Sequence, residues 1–541
     1  MWKWKTANMT CFGAALFAVL FSIFPLTDTD IWWHLACARE WVTTWTPVRA
    51  PVVNVHEYFQ LVVGFVYSLG GAPLLVAFKA FLWGVSFTLF LLLASPKCRC
   101  ETRKVAAFSS CMRLPLVAVV LLFIFRYHFE IRPVLFSLLF LGIYWNVLPR
   151  IFGDCHSDSL RDAAFSSNGH PGAHRAMGSR EPFQDSITCF QSSKTCKLIF
   201  VTLVLVVQFL WCKCQGLYIL GPFFALLVLL AKIWDSRKGG KVFPPKAVAW
   251  RVAFVAALFA MPFLHREGLN LFLYPFGLLD RLLGMTPSAA IFASEIAENR
   301  SPVTLLLAGE NALQSALMIV LCLVGIFFAI KRFICRNSEF GARNSELIWL
   351  MITAILALVA ERNFVLFLPV LIGVLTTSSK QPKVATSSLI PRVPLPTVYC
   401  LLPTFFILGL WARSLSAYDY SMVAYRRVPV EATRWMQEHP HQGRLFNDDR
   451  AGGYLAFVNP ADSIYIDGRF ILKTADFFEN YLAYATHPER FLSDADSLGI
   501  DRALFPLQYY ARWDALLQTL AKSPRWHLAY RDEYFAVFDK N

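Results

Sequence analysis

The chain has 541 residues, 56% of them hydrophobic and 16% charged, with a mean hydropathy of +0.47 and a formal net charge of +14. A soluble protein of this length would carry far more charge, and repeated apolar runs able to cross about 30 Å of hydrocarbon predict a polytopic α-helical membrane protein. The positive balance does not point to nucleic acid, because most Lys and Arg lie in short loops between apolar runs, where they orient helices.

Lys3 and Lys5 precede an apolar run over 8–26, predicted as an uncleaved first span with a cytoplasmic N-terminus; no small-residue cleavage pattern precedes Asp28. Directly after it comes Asp28-Thr29-Asp30-Ile31-Trp32-Trp33-His34. Carboxylates at membrane depth are expensive to keep, which makes them a functional-site hypothesis. The alternative is a solvated loop with the two tryptophans in an interfacial belt. Residues 34–56 read as an interfacial helix followed by a turn at Pro47 and Pro51, and 57–69 as a re-entrant or interfacial helix ended by Gly70-Gly71. Span 2 (73–95) leads to a basic loop, and spans 3 (105–125) and 4 (133–149) flank the stretch from Arg126 to Pro133.

Residues 150–197 are polar and predicted to be a disordered inner loop. Spans 5 (198–211) and 6 (217–234) flank Trp211 to Gly216, and span 7 (247–263) opens a second outer loop, 264–303, with an amphipathic piece over 269–283. Span 8 (304–330) is followed by a short pair, 9 and 10 (346–360 and 364–377), joined by Glu361-Arg362-Asn363, and by span 11 (394–411). Every loop assigned to the inside is basic, so about 11 helices make up a transmembrane domain over 1–412, with outer loops 27–72 and 264–303. Residues 413–541 then form a small periplasmic α/β domain, with helices at 430–438, 475–486 and 513–522, strands at 444–447, 463–467 and 502–505, and a terminal hairpin over 526–538. The thirteen cysteines all precede residue 401 and include only CxC pairs (Cys98/Cys100, Cys212/Cys214), which favours buried or reduced thiols over a disulfide framework or zinc site.

Polar residues from separate loops fall at one level of the outer face: Asp28, Asp30, His34 and Glu57, then Arg126 and Arg132, then Glu298, and finally Arg362 and Asn363. Acids, bases and arginines in one cavity suit a transferase whose donor is a sugar on a lipid phosphate. A carboxylate takes the acceptor's proton while arginines bind the departing phosphate. A divalent metal (Mg or Mn) on Asp28 and Asp30 would need a third ligand. For Arg132 before Pro133, lipid anchor and phosphate ligand are comparable readings. In the outer domain, Arg444 to Tyr454, with Asn447, and Tyr465 to Arg469, with Asp467, are strand-end motifs that either contact substrate or simply turn and pair the chain.

The stretch from Asp28 to Leu35, with Glu57-Tyr58-Phe59 and Leu69-Gly70-Gly71, resembles bacterial polytopic membrane proteins described as GT-C-fold glycosyltransferases, akin to dolichyl-phosphate-mannose-dependent mannosyltransferases. The resemblance continues through Arg132 to Ser137, Leu210 to Gly216, Ile296 to Pro302, Arg362-Asn363, Phe446 to Tyr454 and Ile466 to Arg469. The chain departs from the pattern at Lys213 and Gln215 and at Leu264 to Gly268. The resemblance implies a reactive acid in the first outer loop, here Asp28 or Asp30, acting as base or metal ligand. It also implies a polyprenyl-phosphate-linked sugar, a glycan, lipid or protein acceptor, and the cell inner membrane. The candidate catalytic residues are therefore Asp28, Asp30 and His34. The candidate substrate ligands are Glu57, Arg126, Arg132, Glu298, Arg362 and Asn363, together with Asn447, Asp467 and Arg469. A lipid-linked-sugar flippase and a non-catalytic scaffold for envelope glycan assembly are the rival readings.

Overall fold

The computed structural model describes residues 6–92, 117–152, 194–238, 244–335, 344–378, 395–508 and 511–541. Residues 153–193 of the loop expected over 150–197, and most of span 3, lie outside them. The protein is a multi-pass helical membrane protein bearing a small α/β domain. Six helical stretches among the described residues are long and apolar enough to cross a membrane: Glu57–Leu91, Pro133–Ile151, Thr195–Cys212, Gly216–Arg237, Pro245–Leu264 and Ala312–Ile334.

In chain order the first helices are α1 (Thr6–Phe21), α2 (Asp30–Arg39), α3 (Glu57–Leu92), α4 (Pro133–Ile151), α5 (Lys194–Cys212), α6 (Leu220–Lys238) and α7 (Pro245–Ala260). The backbone of α3 leaves helical geometry at Gly70 and Gly71, where Gly71 has φ of 63°, so two helices meet there. Helices α8 (Leu269–Leu283), α9 (Pro287–Glu295) and α10 (Pro302–Leu307) form the second loop; α11 (Ala312–Cys335), α12 (Asn344–Val359), α13 (Phe364–Ser378) and α14 (Leu395–Ser416) follow. The eighth span thus starts at Ala312, later than the 304 expected, because Gly309 (φ 73°) and Asn311 (φ 47°) turn the chain after α10.

Small residues let the helices approach closely. A Cβ on Gly84 would lie 2.4 Å from Val19 of α1, and one on Gly373 would lie 3.0 Å from the Phe90 carbonyl. Polar side chains inside the bundle bond across it: Trp211 Nε1 donates to Ser137 Oγ (2.8 Å) and the Tyr144 hydroxyl to Gln208 Oε1 (2.7 Å). Lys79 is fully buried on α3, with Nζ donating to the Phe24 carbonyl at 3.1 Å and lying 3.4 Å from the centre of the Phe24 ring.

The C-terminal domain comprises α15 (Val430–Glu438), β1 (Arg444–Asn447), α16 (Asp449–Val458), α17 (Ala475–Thr486), α18 (Pro488–Leu498), β2 (Ile500–Pro506), α19 (Asp514–Lys522), β3 (Trp526–Arg531) and β4 (Phe535–Lys540). Its sheet has the order β1-β2-β4-β3, with β1 and β2 parallel and the other pairs antiparallel. Its core is aromatic, with Phe446 surrounded by Tyr465, Phe491, Phe505 and Trp513. The strand expected over 463–467 is absent from this sheet. That segment instead pairs with the loop after α2, where Thr44 bridges Ile464 and Trp45 N donates to the Ile464 carbonyl at 3.1 Å. The domain is therefore joined to residues 44–46 by backbone pairing.

Candidate active site

Helix α2 begins at Asp30, and the Asp30 amide donates to Asp28 Oδ1 (3.3 Å), so Asp28 caps its first turn. The helix is buried from Ile31 to Ala36. Trp32 packs on Tyr67, Tyr454 and Phe457, and Trp33 lies against His34. The tryptophans are core residues and form no interfacial belt, and the helix expected at the start of 34–56 is the end of α2, buried up to Ala36 because the C-terminal domain covers this stretch. Glycines make the cover possible. A Cβ on Gly453 would lie 3.0 Å from the Trp33 amide nitrogen, one on Gly468 would lie 2.0 Å from Asp30 Oδ1, and one on Gly452 would lie 1.9 Å from the Ile466 carbonyl. Gly452→Ala forces two backbone segments apart and is expected to destabilise the protein by about 1–3 kcal/mol. A thermal melt of the purified variant checks it.

Arg132 is the N-cap residue of α4. Pro133 holds it extended (φ −117°, ψ 157°), which aims its side chain out of the helix mouth. Its Nε donates to Asp28 Oδ2 (2.7 Å), its Nη2 to Asp28 Oδ1 (3.0 Å) and its Nη1 to Glu298 Oε2 (2.5 Å). Asp28 is buried, so both of its carboxylate oxygens are engaged by one guanidinium. Glu298 stands at the rim, with 45% of its side chain exposed. Burial works to raise its carboxyl, but Arg132 holds it down at about 2. Asp30 keeps some exposed surface and has no such partner. Burial, with the Asp28 carboxylate beside it, raises the Asp30 carboxyl to about 7, against the pull of Arg132. Glu298 and Asp30 are thereby driven to different protonation behaviour.

Around this centre lie further charges. The Thr27 hydroxyl donates to Glu130 Oε1, while Glu130 Oε2 is buried without a partner and Lys79 acts on it electrostatically. Arg427, from the link between α14 and α15, donates to the Thr27 carbonyl (2.8 Å). His128 approaches Glu361 at 4.0 Å; burial lowers the His128 imidazole to about 4 and raises Glu361 to about 7. Arg362 follows on the 3₁₀ turn between α12 and α13. Among the described residues no hydrogen bond or ion pair reaches its guanidinium, although Glu298 and Tyr274 act on it electrostatically.

The other candidates sit elsewhere. Arg126 folds back onto its own turn, donating to the Phe123 carbonyl (2.8 Å) and the Tyr127 hydroxyl (2.7 Å). Glu57 pairs with Lys213 (2.8 Å), which also pairs with Glu267 (2.5 Å), so the loop of Lys213 and the loop of Glu267 are partners. His34 is buried between Phe59 and His56, its Nδ1 is unpartnered, and burial holds its imidazole far below the usual range. Asn363 donates to the Leu356 carbonyl (3.0 Å), closing the end of α12. Asn447 joins β1 to the covering segment, donating to the Ile466 carbonyl (2.7 Å) and accepting from the Tyr465 amide (2.8 Å). Asp467 and Arg469 pair with each other (2.5 Å), and Arg469 also donates to the Val42 carbonyl (3.0 Å), fastening the chain after α2.

Sequence reasoning passed over Lys79, Arg427 and Tyr274. The signal for Lys79 was a single charge inside an apolar span.

The donor set at Asp28 and Asp30 does not fit a divalent cation in this arrangement. Asp28 gives both oxygens to Arg132, the guanidinium occupies the space between Asp28 and Glu298, and no three His, Cys, Asp or Glu among the described residues form a ligating group.

No family model and no curated protein matches the chain. Solved structures of low identity are similar to it. One is the oligosaccharyltransferase of Archaeoglobus fulgidus tethered with an acceptor peptide (11% identity, 92% of this chain and 69% of that one, TM-score 0.49). Another is the mycobacterial arabinofuranosyltransferase AftD (14%, 99% and 40%, TM-score 0.43), of which this chain spans less than half. A third is ArnT from Cupriavidus metallidurans (14%, 98% and 98%, TM-score 0.37).

Proposed function

We propose that the protein is a membrane glycosyltransferase that moves a sugar from a polyprenyl-phosphate donor to a glycan, lipid or protein acceptor at the outer face of the inner membrane. What carries this reading is the contrast inside the polar cluster. Arg132 is saturated by Asp28 and Glu298, whereas Arg362 is held in the protein with no hydrogen bond or ion pair among the described residues. Glu298 acts electrostatically on both Arg362 and Asp30, which sets an open cation and a carboxylate of near-neutral pKa around one residue.

In the proposed reaction the acceptor oxygen attacks the anomeric carbon of the donor and Asp30 takes the proton from that oxygen. The bond from the anomeric carbon to the phosphate oxygen breaks, and the negative charge left on the lipid phosphate is met by the Arg362 guanidinium. Arg132 engages both oxygens of Asp28 and keeps Glu298 in place. The preference for Asp30 over Asp28 follows from Asp28 having neither oxygen free. Arg126, Glu57, Asn447, Asp467 and Arg469 have their polar atoms committed to other protein groups and take a supporting part.

The direct test is a mass-spectrometric comparison of envelope glycans from cells with the gene, without it, and complemented by Arg362→Ala. A glycan should disappear on deletion and stay absent or reduced with the variant, because losing a charge-assisted contact to phosphate lowers kcat/KM by about 10- to 100-fold. The thermal midpoint of Arg362→Ala should match that of the parent, since no protein group loses a hydrogen-bond partner. An unchanged glycan profile on deletion would remove the reading.

A further inference from the structure

Helix α8 presents two faces to two different surroundings. At about 100° per residue, Leu271, Tyr274, Pro275, Leu278 and Arg281 share one side. Leu271 is buried, and a Cβ on Gly216 would lie 2.8 Å from the Tyr274 ring and 3.4 Å from Leu278. Arg281 donates to the carbonyls of Phe470 (2.9 Å) and Lys473 (3.0 Å) and lies 4.4 Å over the Phe292 ring, tying this side to the C-terminal domain. The opposite side is a stripe of Leu269, Leu273, Phe276, Leu279 and Leu283, each between 42% and 58% exposed.

Such a stripe needs an apolar neighbour. The chain before it supplies the argument for which one. Phe263 and Leu264, at the end of the membrane-crossing stretch Pro245–Leu264, are 51% and 67% exposed, so the apolar surface of the span runs on into the stripe. Fifteen residues are too short to cross again, about 22 Å against about 30 Å of hydrocarbon. Gly268 (φ 46°) and Gly284 (φ 59°) break the chain at both ends, which separates the helix axis from that of α7. We propose that α8 lies along the bilayer on the side of the C-terminal domain, with this stripe seated among lipid acyl chains. The partner is the lipid surface. The reverse face carries Tyr274 towards Arg362, so α8 is also the wall between the lipid and the polar centre, and a lipid-borne phosphate reaches Arg362 past it. That last step rests on the glycosyltransferase reading; the membrane seating does not.

The test uses the full-length protein in nanodiscs of phosphatidylethanolamine and phosphatidylglycerol, labelled in parallel from two sides and read by peptide mass spectrometry. Hydroxyl radicals report water; a phospholipid with a diazirine in its acyl chain reports lipid. The 269–283 peptide should take the lipid carbene and be protected from radicals relative to the unfolded chain, while the peptide with Tyr420, which is 93% exposed, stays reactive. Radical labelling of 269–283 at the level of the Tyr420 peptide overturns the proposal. Protection from both reagents also overturns it, because protein would then cover the stripe. Neither readout depends on sugar transfer, so loss of the glycosyltransferase reading would leave this result standing.

Discussion

Replacing Arg132 by alanine is expected to abolish function and to destabilise the protein by about 3–5 kcal/mol, the usual effect of stripping one partner from a buried charge pair. Asp28 is buried, and Arg132 is the cation hydrogen-bonded to both of its oxygens. Glu298 loses the contact that holds its carboxyl near 2. Arg132→Lys restores the charge but cannot span both carboxylates, because an ammonium lacks the planar fork of donors. It should therefore recover part of the thermal midpoint and little of the function. Pairing Arg132→Gln with Asp28→Asn removes both charges together and should return most of the stability while leaving the glycan product missing. Melting curves of the four proteins, set beside their glycan profiles, separate holding the site together from taking part in it. A double variant as unstable as Arg132→Ala would mean that the pair is not what stabilises this region.

Where periodicity sets local structure, the sequence was directly readable. The helices Val430–Glu438 and Ala475–Thr486 have the boundaries that their apolar spacing predicts, and the amphipathic piece over 269–283 is α8 to the residue. Failures arose where a distant segment supplies the neighbour. Ile464 and Ile466 alternate like a buried strand, but their partners are Thr44, Trp45 and the Asn447 side chain, which no local pattern reveals. A membrane belt is one of the two readings open for Trp32 and Trp33, and the glycines of α16 and Gly468 exclude it by bringing the C-terminal domain down on them. The same limit applies to the site. Asp28, Arg132 and Glu298 were placed at one level by topology, and they do meet. Arg126 lies six residues before Arg132 and shares its level by spacing, yet the 3₁₀ turn over Arg126–His128 sends its guanidinium onto Phe123 and Tyr127. Direction of a side chain is set by such turns, and sequence spacing does not carry it.

Asp30→Asn should separate activity from stability in opposite directions. As general base, Asp30 is active when ionised, so the rate of the parent should rise with pH through about 7 and level off above it. The asparagine variant should lose about 10²- to 10⁴-fold in rate, and what remains should no longer follow that pH step. Stability runs the other way. The folded state holds the Asp30 proton up to about 7, while the unfolded chain releases it near the ordinary carboxylate value of 3.8. Between those two values the native state binds more protons than the unfolded state. The contribution of this group to stability therefore falls as pH rises across that window, at up to about 1.4 kcal/mol per unit, and is flat above it. Asparagine carries no charge to desolvate beside Asp28. Asp30→Asn should thus melt higher than the parent at pH 8 and close to it at pH 4. A residue that only supported the fold would lower the melting temperature at both values. A variant that loses transfer while gaining stability at pH 8 would identify Asp30 as a carboxylate kept in an unfavourable place for its chemistry.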